Sequence, residues 1–238
     1  MKKVAILQSN YIPWKGYFDL INSVDEFIFY DEMQYTKRDW RNRNKIKTPN
    51  GTVWLSIPVS DKGYQKNHQQ IKDITIADFF WTKKHWNTII QNYKKAQFFK
   101  EYSAFFEELY FAKEEKYLCE VNYKFIHAIN NILGINTKIS FSTEYTLIDG
   151  KTERLIDLVN QAKGTEYLSG PAAKDYIDEK LFEKEKIKLT WMNYSGYPEY
   201  NQLYPPFEHG VSILDLIFSC GKNAADYMKS LGTKMAMI

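Results

Sequence analysis

The segment Lys3–Asp31, KVAILQSNYIPWKGYFDLINSVDEFIFYD, constrains the fold more than any other stretch of the chain. Val4 to Leu7 is an apolar run of strand length that stops at Gln8. The next ten residues, Gln8-Ser9-Asn10-Tyr11-Ile12-Pro13-Trp14-Lys15-Gly16-Tyr17, are polar and aromatic with one proline and one glycine, which is loop chemistry. Phe18, Leu20, Ile21 and Val24 then recur at helical spacing, and Phe27-Ile28-Phe29-Tyr30 is a second buried-strand pattern closed by Asp31. Strand, loop, short helix, strand opens a parallel α/β sheet. Such sheets bind ligands outside the carboxyl ends of their strands, where the Gln8–Tyr17 loop and Asp31 would both lie.

The segment after Asp31 holds the densest polar cluster, TKRDWRNRNK at residues 36–45. Only four arginines occur in the chain, and three of them are Arg38, Arg41 and Arg43. With Lys45, Trp40 and Asn44 they would hang over the same sheet edge as the first loop. Guanidinium forks recognise phosphate or carboxylate, and asparagine adds neutral donors and acceptors, so the cluster reads as an anion-binding loop. Asn50-Gly51 is a hairpin signal, so residues 44–47 and 52–59 are expected to pair, with Pro58 near a strand end. His68, in the polar stretch 60–70, shares no metal-ligand spacing with another His, Cys or carboxylate.

Residues 71–76 are expected to add a strand, and from Ala77 to Gly134 apolar and aromatic residues at three- and four-residue spacing predict helices that end at Gly134. Strand, helix, strand, helix, strand then resumes: strand 137–143, helix 154–162, strand 165–168, a small-residue turn Ser169-Gly170-Pro171-Ala172-Ala173-Lys174, helix 175–185 and strand 187–192. The pattern predicts one α/β domain over residues 1–238, a Rossmann-like parallel sheet with helices on both faces and a helical insertion at 77–134. Residues 193–207, which include Gln202, are irregular and rich in tyrosine and proline. Ser212 and Asp215 have capping-box spacing at the start of a helix running to Gly221. A last helix is expected at 223–231, followed by a frayed tail.

A net charge of +3 is too small to point to nucleic acid as the partner. Cys119 and Cys220 lack CxxC spacing, and no apolar run reaches the roughly 20 residues of a membrane span. The apolar run behind Met1-Lys2-Lys3 is too short for a signal peptide, so the expected location is the reducing cytoplasm. Eighteen tyrosines and six tryptophans, many in polar contexts such as Tyr11, Trp14, Tyr17 and Trp40, suit a face that holds a flat or sugar-like ligand. No Ser-His-Asp or Cys-His set is recognisable. His209, just ahead of Ser212, is the candidate general base, Asp31 is placed to orient a sugar hydroxyl, and Gln8 and Asn10 offer amide hydrogen bonds. Nothing in these residues selects a particular cofactor or metal.

Trp14-Lys15-Gly16-Tyr17 stands where nucleotidylyltransferases and class I synthetases carry His-x-Gly-His, and the N-terminal unit resembles their Rossmann-like fold. Trp14 and Tyr17 replace both histidines, so nucleotidyl transfer would lack its usual cations. A longer resemblance spans nearly the whole chain. Residues 8–18, Arg41-Asn42-Arg43-Asn44, Tyr167-Leu168-Ser169-Gly170 with Tyr176, and Ser212-Ile213-Leu214-Asp215-Leu216 resemble the WbqC-like family. That resemblance implies a place in bacterial surface-polysaccharide or glycan biosynthesis. The combined expectation is a transferase that moves an acyl or aminoacyl group to a nucleotide-linked or lipid-linked sugar. Its small-molecule substrate, a nucleotide or nucleotide sugar, would touch Gln8, Asn10, the aromatic residues, the Arg38–Lys45 cluster, Ser169, Gly170, Lys174 and Gln202. A degenerate nucleotidylyltransferase and a non-catalytic nucleotide or nucleic-acid binding module are the alternatives.

Overall fold

A computed structural model describes residues 1–231. Seven strands form, β1 (Lys3–Leu7), β2 (Glu26–Phe29), β3 (Arg43–Thr48), β4 (Gly51–Ser56), β5 (Lys138–Phe141), β6 (Glu166–Ser169) and β7 (Lys188–Trp191). Five of them build one sheet in the order β5-β2-β1-β6-β7, and every pairing in it is parallel. The chain order reverses between β1 and β6, which makes their carboxyl ends the topological switch point. The helices are α1 (Lys15–Asn22), α2 (Trp81–Tyr93), α3 (Phe99–Phe111), α4 (Leu118–Leu133), α5 (Thr152–Gln161), α6 (Glu179–Lys184) and α7 (Ile213–Cys220).

Alternation along the strands explains why helices cover both faces of this sheet. Ala5 of β1, Phe27 and Phe29 of β2 and Leu168 of β6 enter one core with α1, α2, α3, α4 and α7. Val4, Ile6, Ile28, Tyr30 and Tyr167 enter the other with α5 and Phe182 of α6. The fold is therefore α/β and Rossmann-like. Buried residues of the helical segment, among them Trp86, Tyr93, Phe106 and Phe125, belong to the first core rather than to one of their own. Gly134 closes α4 in a left-handed conformation at φ +68, where a side chain would be strained.

Opposite the carboxyl edge, Glu26 is fully buried at the start of β2. Its carboxylate accepts from Lys2 Nζ at 2.6 Å, Ser140 Oγ at 2.6 Å, Tyr145 OH at 2.7 Å and Lys138 Nζ at 3.0 Å. Burial pushes its pKa up, but these four donors outweigh that and hold it at about 2.

Two expected elements differ. Ile71–Asp73 is a single 3-10 turn, not a strand. Ile71, Ile74 and Ile76 are all buried, and their spacing of three and then two cannot place them on one face of a strand. The last helix begins instead as 3-10 turns at Gly221–Tyr227. Gly221 has φ +55, and a Cβ there would lie 2.6 Å from Phe98 Cγ, so the chain turns at that glycine. The expected tail lies outside the described residues.

Candidate functional site

The loop after β1 and the arginine segment before β3 meet at one guanidinium. Arg41 Nη1 donates to Asn10 Oδ1, and Nη2 donates to Gln8 Oε1 at 3.1 Å. Asp39 lies 3.8 Å away and limits the freedom of the fork. The backbone joins the same pair of segments, because Tyr11 N donates to Trp40 O at 3.1 Å. Asn44 completes the clamp by donating to the carbonyls of Tyr11 at 3.1 Å and Ile12 at 2.9 Å. Ile12 has φ +35, an unfavourable value for a β-branched residue, and this amide grip helps hold it. The start of α7 ties both segments down, with Ile213 N donating to Pro13 O at 2.9 Å and Ser212 N to Lys45 O at 2.8 Å.

Over this junction lies a cavity of about 480 Å³. Asn10, Pro13 and Trp14 come from the loop after β1, Trp40 from the approach to β3 and Asn44 from β3 itself. Tyr194 to Tyr197 come from the loop after β7, and His209 and Gly210 precede α7. The Trp14 indole meets Tyr194 edge-on at 5.2 Å and Tyr197 at 5.6 Å. Gly16 is required here, since a Cβ at that position would lie 2.7 Å from Trp14 Cε2 and Cη2. His209 is exposed, and its ring packs edge-on against Phe207 at 4.6 Å. The lining joins aromatic rings, two carboxamides and one imidazole without a carboxylate. Rings accept the apolar C–H face of a sugar, and amides exchange hydrogen bonds with its hydroxyls.

At the cavity's edge, the Trp40 ring meets Trp54 at a tilt with centroids 5.3 Å apart, Arg43 lies over the Trp54 ring at 4.0 Å, and Lys45 sits 5.4 Å from the same ring. These contacts gather Arg43, Lys45, Trp40 and Trp54 into one cationic and aromatic rim. Arg38 contributes its carbonyl, which accepts from Arg43, while its own backbone takes φ +60.

Several predicted residues are placed elsewhere. Tyr11 is fully buried, with its phenol 2.7 Å from Tyr110 OH and 3.0 Å from His85 Nδ1. His85 Nε2 lies 3.1 Å from the Ser56 carbonyl. A carbonyl can only accept, so Nε2 carries the proton, Tyr11 donates to Nδ1 and Tyr110 donates to Tyr11. Burial pushes the His85 pKa down to about 4, in keeping with a neutral ring. Tyr17 is buried too and donates to Gln8 O at 2.9 Å. Both tyrosines shape the loop from behind. Asp31 accepts from Ser9 N at 2.8 Å, and its carboxyl is raised by burial, a shift that Ser9 and Arg41 oppose. It lines a separate cavity of about 260 Å³ with Cys119 and Tyr123, apart from the one that contains His209. Gln202 brackets Glu208, donating to its carbonyl at 2.9 Å and accepting from its amide at 2.8 Å. Ser169 is buried at the end of β6, Gly170 lies near Tyr194, and Lys174 sits over Trp191 at 5.4 Å. None of these three lines the cavity around Trp14.

Ser212 is the N-cap of α7, with its hydroxyl accepting from Leu214 N at 3.3 Å. Asp215 does not complete a capping box. Its carboxylate accepts from Tyr93 OH and Tyr200 OH, both at 2.8 Å, and burial raises its pKa. Lys15 was not evident as a site residue from the sequence. It is buried, donates to Pro198 O at 2.9 Å and lies 5.1 to 5.8 Å from the rings of Tyr197, Tyr200 and Phe207. Burial pushes its pKa down to about 8. Lys15 and Asp215 thereby fasten the 193–207 segment that forms one wall of the cavity. Among the described residues, no group of three or more His, Cys, Asp or Glu side chains is placed to hold a metal ion, and no helix is long and apolar enough to cross a membrane.

Fold and cavity together define an α/β protein with a parallel Rossmann-like sheet and a ligand-sized cavity over its carboxyl edge. The chain belongs to the WbqC-like protein family, whose model matches residues 8–227. It is 50% identical over 229 residues to the uncharacterized protein Rv1507c of Mycobacterium tuberculosis (strain ATCC 25618 / H37Rv), covering 96% of this chain and 98% of that protein. No solved structure matches the chain.

Proposed function

We propose that the protein is a transferase of bacterial surface-polysaccharide or glycan biosynthesis that attaches an acyl or aminoacyl group to a nucleotide-linked or lipid-linked sugar. The observation that carries this reading is the 480 Å³ cavity with its walls of Trp14, Trp40, Tyr194 and Tyr197, its two asparagines and its one imidazole. Trp14 supplies the stacking face, braced edge-on by Tyr197, and Asn10 supplies a polar edge. His209 takes the proton from the sugar amine or hydroxyl as that nitrogen or oxygen bonds to the acyl carbon. The electron pair of the broken bond leaves with the donor's thiol or phosphate, which accepts the proton back from the imidazole. Arg43 and Lys45 at the rim neutralise the acceptor's diphosphate, while Arg41 holds Gln8 and Asn10 in place behind them. Trp14 and Tyr17 at the His-x-Gly-His positions argue for this chemistry over nucleotidyl transfer, since neither carries a cation and Tyr17 is buried.

Thermal shift with nucleotide sugars, comparing wild type with Trp14→Ala, tests the reading. A rise in Tm for wild type that the variant loses is expected. Indifference of the wild type to every nucleotide sugar and lipid-linked sugar would refute it.

A further inference from the structure

A second cavity of about 340 Å³ opens at the other side of the Gln8–Asn10 segment. It is lined by Ile6, Leu7 and Gln8 at the end of β1, Tyr30 after β2, Tyr167 in β6, Tyr176, and the Gly150–Leu155 stretch that starts α5. Ile6, Tyr30, Tyr167 and Leu155 belong to the core on the α5 face of the sheet, so this space stands apart from the one around Trp14. Gln8 lines the second cavity and Asn10 the first, and the Arg41 guanidinium bonds both side chains. The segment is thus a partition between two cavities at the carboxyl edge.

The lining carries two cations, Lys151 and Arg154, and no carboxylate. Arg154 donates to Tyr30 OH at 3.1 Å and to the Ile148 carbonyl, and its nearest acid, Asp149 at 3.7 Å, is fully solvent-exposed. A guanidinium has five N–H donors, which leaves some to turn toward a ligand. Three phenol rings, Tyr30, Tyr167 and Tyr176, complete the walls, and Tyr176 is half exposed at the mouth. Two cations in a lining without a carboxylate suit an anion, the rings suit a flat or apolar group, and the volume is that of a small organic molecule. We infer that this second cavity binds a nucleoside phosphate, with its phosphate at Lys151 and Arg154 and its base against the tyrosine rings. The inference is independent of the sugar reading of the first cavity.

Isothermal titration of the full chain with the 5′-monophosphates of adenosine, cytidine, guanosine and uridine, with the parent nucleosides and with inorganic phosphate tests it. At least one nucleotide is expected to bind at least tenfold more tightly than both its nucleoside and phosphate alone. Combining Lys151→Met with Arg154→Met should weaken that binding tenfold or more. Tyr176→Ala, at a half-exposed position, should weaken it several-fold with Tm retained, so the inference stays testable if the double variant misfolds. Absence of nucleotide binding to the wild type overturns it, as does phosphate binding as tightly as the nucleotide. Binding lost in Trp14→Ala but kept in the double variant places the nucleotide in the first cavity and also overturns it. Such a failure, with nucleotide sugars still shifting the wild type through Trp14, would leave the sugar reading standing.

Discussion

Replacing Arg41 with methionine removes the one side chain that bonds both Gln8 and Asn10. Each charge-assisted hydrogen bond contributes about 1.5–3 kcal/mol. Asn10 and Gln8 are half-buried, so water recovers part of what each amide loses, and methionine keeps most of the packing volume. The remaining loss is expected at about 2–3 kcal/mol, which exceeds the effect of an ordinary surface substitution. Arg41→Lys keeps the charge near Asp31 and Asp39 but can reach only one amide, so about half of that loss is expected. Urea unfolding followed by tryptophan fluorescence measures both, since Trp14 and Trp40 flank the junction. Arg41→Met should also weaken binding of any ligand of the first cavity, because the loop that carries Asn10 loses its tether. A variant within about 0.5 kcal/mol of wild type and with unchanged ligand affinity would refute the claim that this guanidinium assembles the site.

Gly16→Ala places a methyl group against the Trp14 indole, so the ring must leave its place beside Tyr194 and Tyr197; ligand affinity should fall more than tenfold while circular dichroism shows the helices intact. Glu26→Gln tests the buried carboxylate: the drop from 4.5 to about 2, at about 1.4 kcal/mol per pH unit, makes its ionised form worth about 3 kcal/mol at neutral pH. Because the folded pKa lies below the unfolded one, that advantage of wild type over Glu26→Gln should be full above pH 4.5 and shrink as pH falls toward 2, read from urea midpoints at each pH. Asp215→Ala leaves the phenols of Tyr93 and Tyr200 without their shared acceptor; a loss of about 2–4 kcal/mol is expected by the same assay.

The sheet was legible because its signals are local. Apolar runs at Val4–Leu7 and Phe27–Tyr30, each ended by a polar residue, are enough to place two parallel strands and the edge where their loops emerge. The meeting of Asn10 with Arg41 followed from the same logic, since both segments leave that edge. Tyr11 was harder to read. Its polar neighbours suggest a ligand face, whereas its partners Tyr110 and His85 lie on helices 99 and 74 residues away, a pairing that no local pattern announces. The 193–207 wall was hidden for the same reason. An irregular Tyr- and Pro-rich segment has no period to read, and Trp14, Lys15 and Asp215 decide where it lies. Ser212 and Asp215 have capping spacing, but only the serine hydroxyl caps, because two tyrosines reach the carboxylate first.

Soaking crystals of the chain with a set of nucleotide sugars is the most direct measurement of the central claim. The account predicts sugar density against the Trp14 ring in the cavity that Tyr197 also lines, within hydrogen-bond reach of Asn10 and facing His209. Density confined to other surfaces, with the Trp14 cavity empty at saturating ligand, would contradict it.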